Sequence, residues 1–202
     1  MTHPVRKERP ILFTAPMVRA ILEDRKTQTR RAMKPQPSSV DEHGTWYGNN
    51  PQSLQNRTCP HGKPGDRLWV REAWRADSQI DNIKPSNMRK GEPILYEADT
   101  TVVTTGCVML DPGKLRPGIF MMRWMSRITL EITGVRVERL CGISEDTAIA
   151  EGMRDRDEET DTWKSAAEDF SELWESINGH GSWDANPWVW VIEFKRVEVT
   201  DD

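Results

Sequence analysis

The stretch from Asp24 to Arg31, DRKTQTRR, follows a short amphipathic pattern and sets Lys26, Thr29 and Arg31 close together in the chain. An amine, a hydroxyl and a guanidinium at such spacing are a possible base, a possible nucleophile and a clamp for an anion or a carbonyl. A carboxylate to orient the amine is missing from the stretch. Glu151, in AIAEGM, is the candidate for it. The bland reading of the same residues is a basic edge strand, since lysine and arginine protect exposed sheet edges. Thr27, Thr29 and Arg31 alternate with Lys26, Gln28 and Arg30 as a strand would, which puts Lys26 and Thr29 on opposite faces. Either a turn or bulge before Thr27, or a lysine stem curling round from the helix end, would bring them together.

Outward from this stretch the elements read as follows. PILF at 10–13 is a short buried strand, and Thr14 caps a helix with Pro16 in its first turn. That helix runs to about Asp24, with Met17, Val18, Ile21 and Leu22 on one face. Residues 33–60 are rich in proline, glycine, asparagine and serine and read as a long loop. KPGD at 63–66 turns into the strand LWVREAW, 68–74. A second irregular region, about 76–125, contains the strand-like ILYEA and a Met- and Trp-rich run that suits a hydrophobic cover over the core. Ile128, Leu130, Ile132, Val135 and Val137 alternate along a strand that can bulge at Thr133 and Gly134. Ser144 caps a short helix that Gly152 ends. A longer helix, about Thr162 to Asn178, carries Trp163, Ala166, Phe170, Leu173, Trp174 and Ile177 on one stripe. WVWVIEFKRV, 188–197, is apolar enough for a strand buried on both faces. Strands with two or three helices among them make a mixed α and β domain, expected as a small twisted barrel.

The 202 residues are enough for one domain with a real core, and one domain is expected. Three scattered cysteines argue against a disulfide framework and for a reducing compartment. With no apolar run of signal-peptide or membrane-spanning kind, the expectation is a soluble, cytoplasmic protein without a membrane partner. The net charge of −4 argues against broad binding to nucleic acid. Charge is uneven, however: residues 1–40 hold nine Lys or Arg against three acids, and residues 145–175 hold three against twelve. A basic surface near DRKTQTRR would attract a phosphate-bearing or nucleobase substrate, although both segments also fit ordinary charged faces. Most of the nine tryptophans fall in apolar patterns and read as core. Trp46 and Trp183 lie in polar, glycine-containing loops, where an indole either stacks on a base or packs the loop. Cys59 and His61 have no second pair at ligand spacing, so neither a metal nor a cofactor is expected. GxGxxG, P-loop and HExxH motifs are absent.

Taken in order, DRKTQTRR, KPGDRLWVRE, ITLEITGVRVERL, ISEDTAIAEGM and NPWVWVIEFKRV resemble the ASCH domain, a branch of the PUA-like superfamily. Lys26, Thr29 and Arg31 match the last three fixed positions of its signature (glycine, any residue, lysine, two residues, threonine, one residue, arginine), and Asp24 stands in place of the glycine. The resemblance covers about 10–31, 59–75 and 126–197, and leaves about 32–58 and 76–125 as large insertions. It is similar in this long form to ASCH proteins of phages and prophages. It implies an α+β fold, a small β-barrel with flanking helices and a cleft for a nucleobase or an RNA segment.

One branch of that family hydrolyses the acetyl group from the exocyclic amine of acetylated cytidine, and its triad falls on Lys26, Thr29 and Glu151. The resemblance then implies an amidohydrolase in which Thr29 attacks, Lys26 takes its proton and Glu151 holds the lysine. Arg30, Arg31, Trp46 and Trp183 are the expected substrate-binding residues. The partners would be a modified nucleoside or single-stranded RNA. Three other roles stay open: a noncatalytic reader of RNA or of a modified base, a single-strand ribonuclease, and a phage assembly factor. Oligomeric state is not legible.

Overall fold

The computed structural model describes residues 6–40, 46–47, 58–104, 106–154 and 164–197. In chain order the elements are β1 (Glu8–Leu12), α1 (Ala15–Leu22), β2 (Gln28–Ala32), β3 (Ser39–Val40), β4 (Trp46–Tyr47), β5 (Arg67–Arg71), β6 (Trp74–Arg75), β7 (Ile94–Tyr96), β8 (Val102–Val103), β9 (Thr129–Arg139), α2 (Glu145–Ala150), α3 (Ala166–Asn178) and β10 (Trp188–Val197). This is a mixed α and β fold, as the alternating patterns imply. Its main sheet has the linear order β1-β5-β9-β10-β2. The expected barrel requires the ends of such an order to join, and among the described residues the order stays open. Its β2 end is bonded to α2 instead: the Thr27 amide donates to the Ala150 carbonyl at 2.9 Å, and the Gln28 side chain to the Thr147 carbonyl at 2.8 Å. No helix among the described residues is long and apolar enough to cross a membrane.

Contacts divide the chain into two compact units, the first made of Met1–Leu22, Asp66–Glu131 and Arg196–Asp202. In it β1 runs parallel to β5, which pairs antiparallel with the start of β9. Helix α1 buries Met17, Val18 and Ile21 of the face that the sequence pattern marks, together with Ala20, while Leu22 is half-buried. The expected strand at 68–74 is two strands, β5 and β6, and the region 76–125 is more than a loop. Strands β6, β7 and β8 form a small antiparallel sheet, with Trp74 opposite Tyr96 and Ile94 opposite Val103. Met121 and Met125 are buried with Trp74, Ala76, Met88, Ile94 and Tyr96, so the methionines fill a core rather than cover one.

A buried ion pair ties this core together. Arg127 donates from Nε and Nη2 to the two carboxylate oxygens of Glu72, both at 3.0 Å, and from Nη1 to Asp99 at 2.8 Å. Its guanidinium lies 4.0 Å from the Tyr96 ring centroid, and the Tyr96 hydroxyl donates to the Met125 carbonyl at 2.7 Å. Close by, a methyl group on Gly118 would meet the Glu72 carbonyl carbon and oxygen at 3.0 Å and the Arg71 carbonyl carbon at 3.1 Å. Those are main-chain atoms that cannot swing aside. Gly118→Ala therefore costs about 1–3 kcal/mol, the usual range for overpacking; urea unfolding with an unchanged midpoint would refute this close approach.

The second unit takes Glu23–Gly65 and Ile132–Lys195. In it β10 pairs antiparallel with β2, from Val189 opposite Ala32 to Glu193 opposite Gln28. Val189, Trp190, Val191 and Ile192 are all buried, which accounts for the uninterrupted apolar run of that strand. Val189 and Val191 share a core with Leu140, Ala148, Ala166, Phe170 and Trp174, contributed largely by α2 and α3. Ser165 caps α3 by accepting from the Glu168 amide, a few residues later than the expected start. The long loop expected at 33–60 includes β3 and β4, which pair antiparallel.

Candidate functional site

The strand β2 and the end of α2 bring Lys26 and Glu151 together. Ser144 begins the helix by accepting from the Thr147 amide, and Glu151 closes it as the C-cap. Gly152 then takes φ of 93°, a conformation that glycine adopts without a Cβ penalty. Its turn leaves both the carbonyl and the carboxylate of Glu151 available to one ammonium. Lys26 Nζ donates to the Glu151 carbonyl at 2.6 Å and to Glu151 Oε2 at 2.9 Å. The other carboxylate oxygen accepts from Arg30 Nη1 at 3.0 Å, and Arg30 Nη2 reaches Glu138 Oε2 at 3.2 Å. An acid at a helix C-terminus opposes the helix dipole, and two cations on Glu151 offset that misfit.

These groups are nearly out of reach of water: Lys26 and Arg30 are each 2% exposed, as is Glu151, and Thr29 is 1% exposed. Burial holds the Lys26 ammonium below its ordinary range; the Glu151 carboxylate opposes this, while Arg31 and Arg30 add to it. Arg31 is likewise lowered by burial, with Glu151 opposing. Toward solvent the charges continue in alternation. Arg136 pairs with Glu138 and with Glu193, and its Nη2 donates to Gln28 Oε1 at 3.4 Å. Arg30 also lies over the Phe170 ring, 5.9 Å from its centroid.

Asp24 explains how the chain enters this site. Its φ is 56°, in the left-handed region. Glycine is the residue of least strain there and aspartate is among the few others that tolerate it, so Asp24 makes the turn that a glycine would make.

The site residues expected from sequence fall into three groups. Lys26, Glu151 and Arg30 meet. Thr29 and Arg31 stand opposite Ile192 and Trp190 in the β2–β10 register. By alternation they occupy the other face of β2 from Gln28 and Arg30, whose partners lie on α2, α3 and β9. Arg30, expected at a substrate, instead spends its guanidinium on Glu151 and Glu138. Trp183 packs edge-on against Phe170, with centroids 6.3 Å apart and planes at 70°, and so serves the α3 core. Trp46 belongs to β4 rather than to an irregular loop, and its side chain, like Trp163, lies outside the described residues. Sequence reading passed over Glu138 and Arg136. Their two-residue spacing in VRVER, on one face of a strand, was the available signal.

No protein-family model and no curated protein matches the chain. Among solved structures it is similar to the crystal structure of protein EF3133 from Enterococcus faecalis V583, described as family-model DUF984, at 9% identity and a TM-score of 0.43, over 100% of this chain and 87% of that one. A likeness at that level assigns neither fold family nor activity.

Proposed function

We propose that the chain is an ASCH-type, PUA-like protein directed at nucleosides, and that it removes an acyl group from the exocyclic amine of a modified cytidine such as N4-acetylcytidine. The observation that carries this reading is the buried pair of Lys26 and Glu151, 2.9 Å apart, with burial favouring the neutral amine. A neutral lysine is a base, and the carboxylate and carbonyl of Glu151 fix its direction. Thr29 Oγ would attack the acetyl carbonyl carbon while its proton passes to Lys26. Collapse of the tetrahedral intermediate breaks the C–N bond, and the proton leaves with the cytosine amine. Water then hydrolyses the threonine ester, giving acetate. Arg31, on the Thr29 face, would face the developing oxyanion.

Incubation with N4-acetylcytidine, followed by chromatography of cytidine and acetate, tests the reading. Lys26→Ala and Thr29→Ala are each expected to lower turnover by about 10²–10⁴-fold, the span of a lost general base or nucleophile. An inert wild-type protein would end it. The pH profile supplies a further check. A base must be unprotonated, so kcat/KM rises with pH and levels off once Lys26 has lost its proton. Because burial lowers that group, the midpoint of the rise falls below the ordinary lysine value of 10.5. A rise still centred at 10.5 or above would remove Lys26 from the role of base.

A second reading is a noncatalytic module that binds RNA or a modified base. It is favoured by the alternation of β2, which sets Thr29 on the face away from Arg30. Oligonucleotide binding that weakens steeply with salt, together with no acetate release, would support it.

A further inference from the structure

The second unit holds a cavity of about 610 Å³ beside the end of β2. That volume lies within the ~300–1,000 Å³ of sites that enclose a small molecule. Ala32, Met33, Lys34 and Trp190 contribute to its lining, together with Thr58 and His61. Trp190 stands opposite Arg31 in the register, and directly paired residues of adjacent strands share a face. Trp190 therefore meets the cavity from the face of β2 that carries Thr29 and Arg31, while Ala32, which packs toward the α2–α3 core, lines it at the strand end. Ala32 is three residues beyond Thr29, about 10 Å along a strand.

The chemistry of the lining is specific. Trp190 and Met33 are buried apolar side chains and offer ring and thioether surface to a flat ligand. His61 and Thr58 offer hydrogen-bonding groups that suit the edge of a heterocycle or a sugar hydroxyl. Lys34 is exposed and brings a positive charge to the rim. Among the described lining residues there is no carboxylate, so an anionic ligand meets attraction without a repelling partner.

We propose that this cavity binds a nucleoside monophosphate unit, with its base against Trp190 and its phosphate at Lys34. This deepens the nucleoside-directed reading above and rests on it for the choice among flat anionic ligands. It adds that the recognised unit carries a phosphate, as a free nucleotide or as one residue of an RNA strand.

Calorimetric titration of the full chain with cytidine 5′-monophosphate, cytidine and inorganic phosphate separates the possibilities, and a short cytidine oligonucleotide distinguishes strand from free nucleotide. The monophosphate is expected to bind about tenfold more tightly than cytidine, the scale of one charge-assisted contact. Lys34→Ala, a change at an exposed position, should erase that advantage and leave cytidine binding as it was. Trp190→Leu should weaken both ligands. If that variant fails to fold, His61→Ala takes its place with the same expectation. Equal binding of cytidine and its monophosphate overturns the proposal, as do phosphate alone binding as well as the nucleotide and an unaffected Lys34→Ala. The two readings fail separately. Acetylcytidine turnover with no binding of the monophosphate refutes the cavity assignment alone, whereas monophosphate binding with no turnover refutes the hydrolase alone.

Discussion

Glu151→Ala is expected to lower the stability of the protein by about 3–5 kcal/mol, the cost of removing one partner from a buried ion pair. Two cations depend on that carboxylate, and the side chains of both are fully buried. Arg30 keeps Glu138, which is partly exposed, whereas Lys26 loses its carboxylate and keeps the Glu151 main-chain carbonyl. A buried charged amine deprived of its carboxylate must either stay charged without that counter-charge or give up its proton, and both cost free energy in the folded state. The double variant Lys26→Met/Glu151→Leu should recover much of the loss, because it strands no charge at the lysine position and apolar side chains of similar volume replace buried pairs at little cost. Urea unfolding of wild type, the single variant and the double variant reads this directly. A double variant as unstable as the single one would mean that the cost lies in helix capping or packing rather than in the stranded charge.

How far sequence reading could go is visible in the same residues. The alternation in TQTRR is enough to recognise β2, and the 3.6-residue stripes mark most of the buried faces of α1 and α3, Ile177 at the end of α3 being exposed, because periodicity reports which side of an element meets a core. Periodicity does not report the partner. Lys26 and Glu151 are 125 positions apart, and nothing in either segment specifies the other; here the resemblance supplied the pairing, and the coordinates place the two groups in hydrogen-bonding contact. The difficulty that a strand would separate Lys26 from Thr29 was also legible; regular pairing begins only at Gln28, so the alternation of β2 sets Thr29 apart from Arg30 and leaves Lys26 outside it. The region 76–125 read as irregular because its strands have only two or three residues, too few for a two-residue period to register. Its order comes instead from a small core of Trp74, Tyr96 and two methionines, a tertiary property.

The Glu72–Arg127 pair gives an expectation with a pH dependence whose sign can be worked out. Burial raises the Glu72 carboxyl above its ordinary value of 4.5, and the Arg127 fork opposes that rise. A carboxyl whose affinity for a proton is higher in the folded state binds more protons there than in the unfolded chain. Stability then falls as pH climbs from about 4.5 to the folded-state value, and is level above it. Arg127→Met keeps much of the side-chain stem and removes the charge, so the opposing effect disappears and the interval of falling stability widens. Near pH 4 the stranded Glu72 holds a proton and the variant loses little beyond the contact with the Tyr96 ring and the partly exposed pair with Asp99. At pH 8 the carboxyl is either charged and unpaired or kept neutral at a cost, and the loss relative to wild type reaches about 3–5 kcal/mol. Urea unfolding at the two pH values should therefore show a gap that grows with pH. A gap of equal size at both would mean that Arg127 acts through packing on Tyr96 and its pair with Asp99 and not through the charge of Glu72. Adding Glu72→Gln to Arg127→Met should flatten the pH dependence, since an amide of the same shape has no proton to lose.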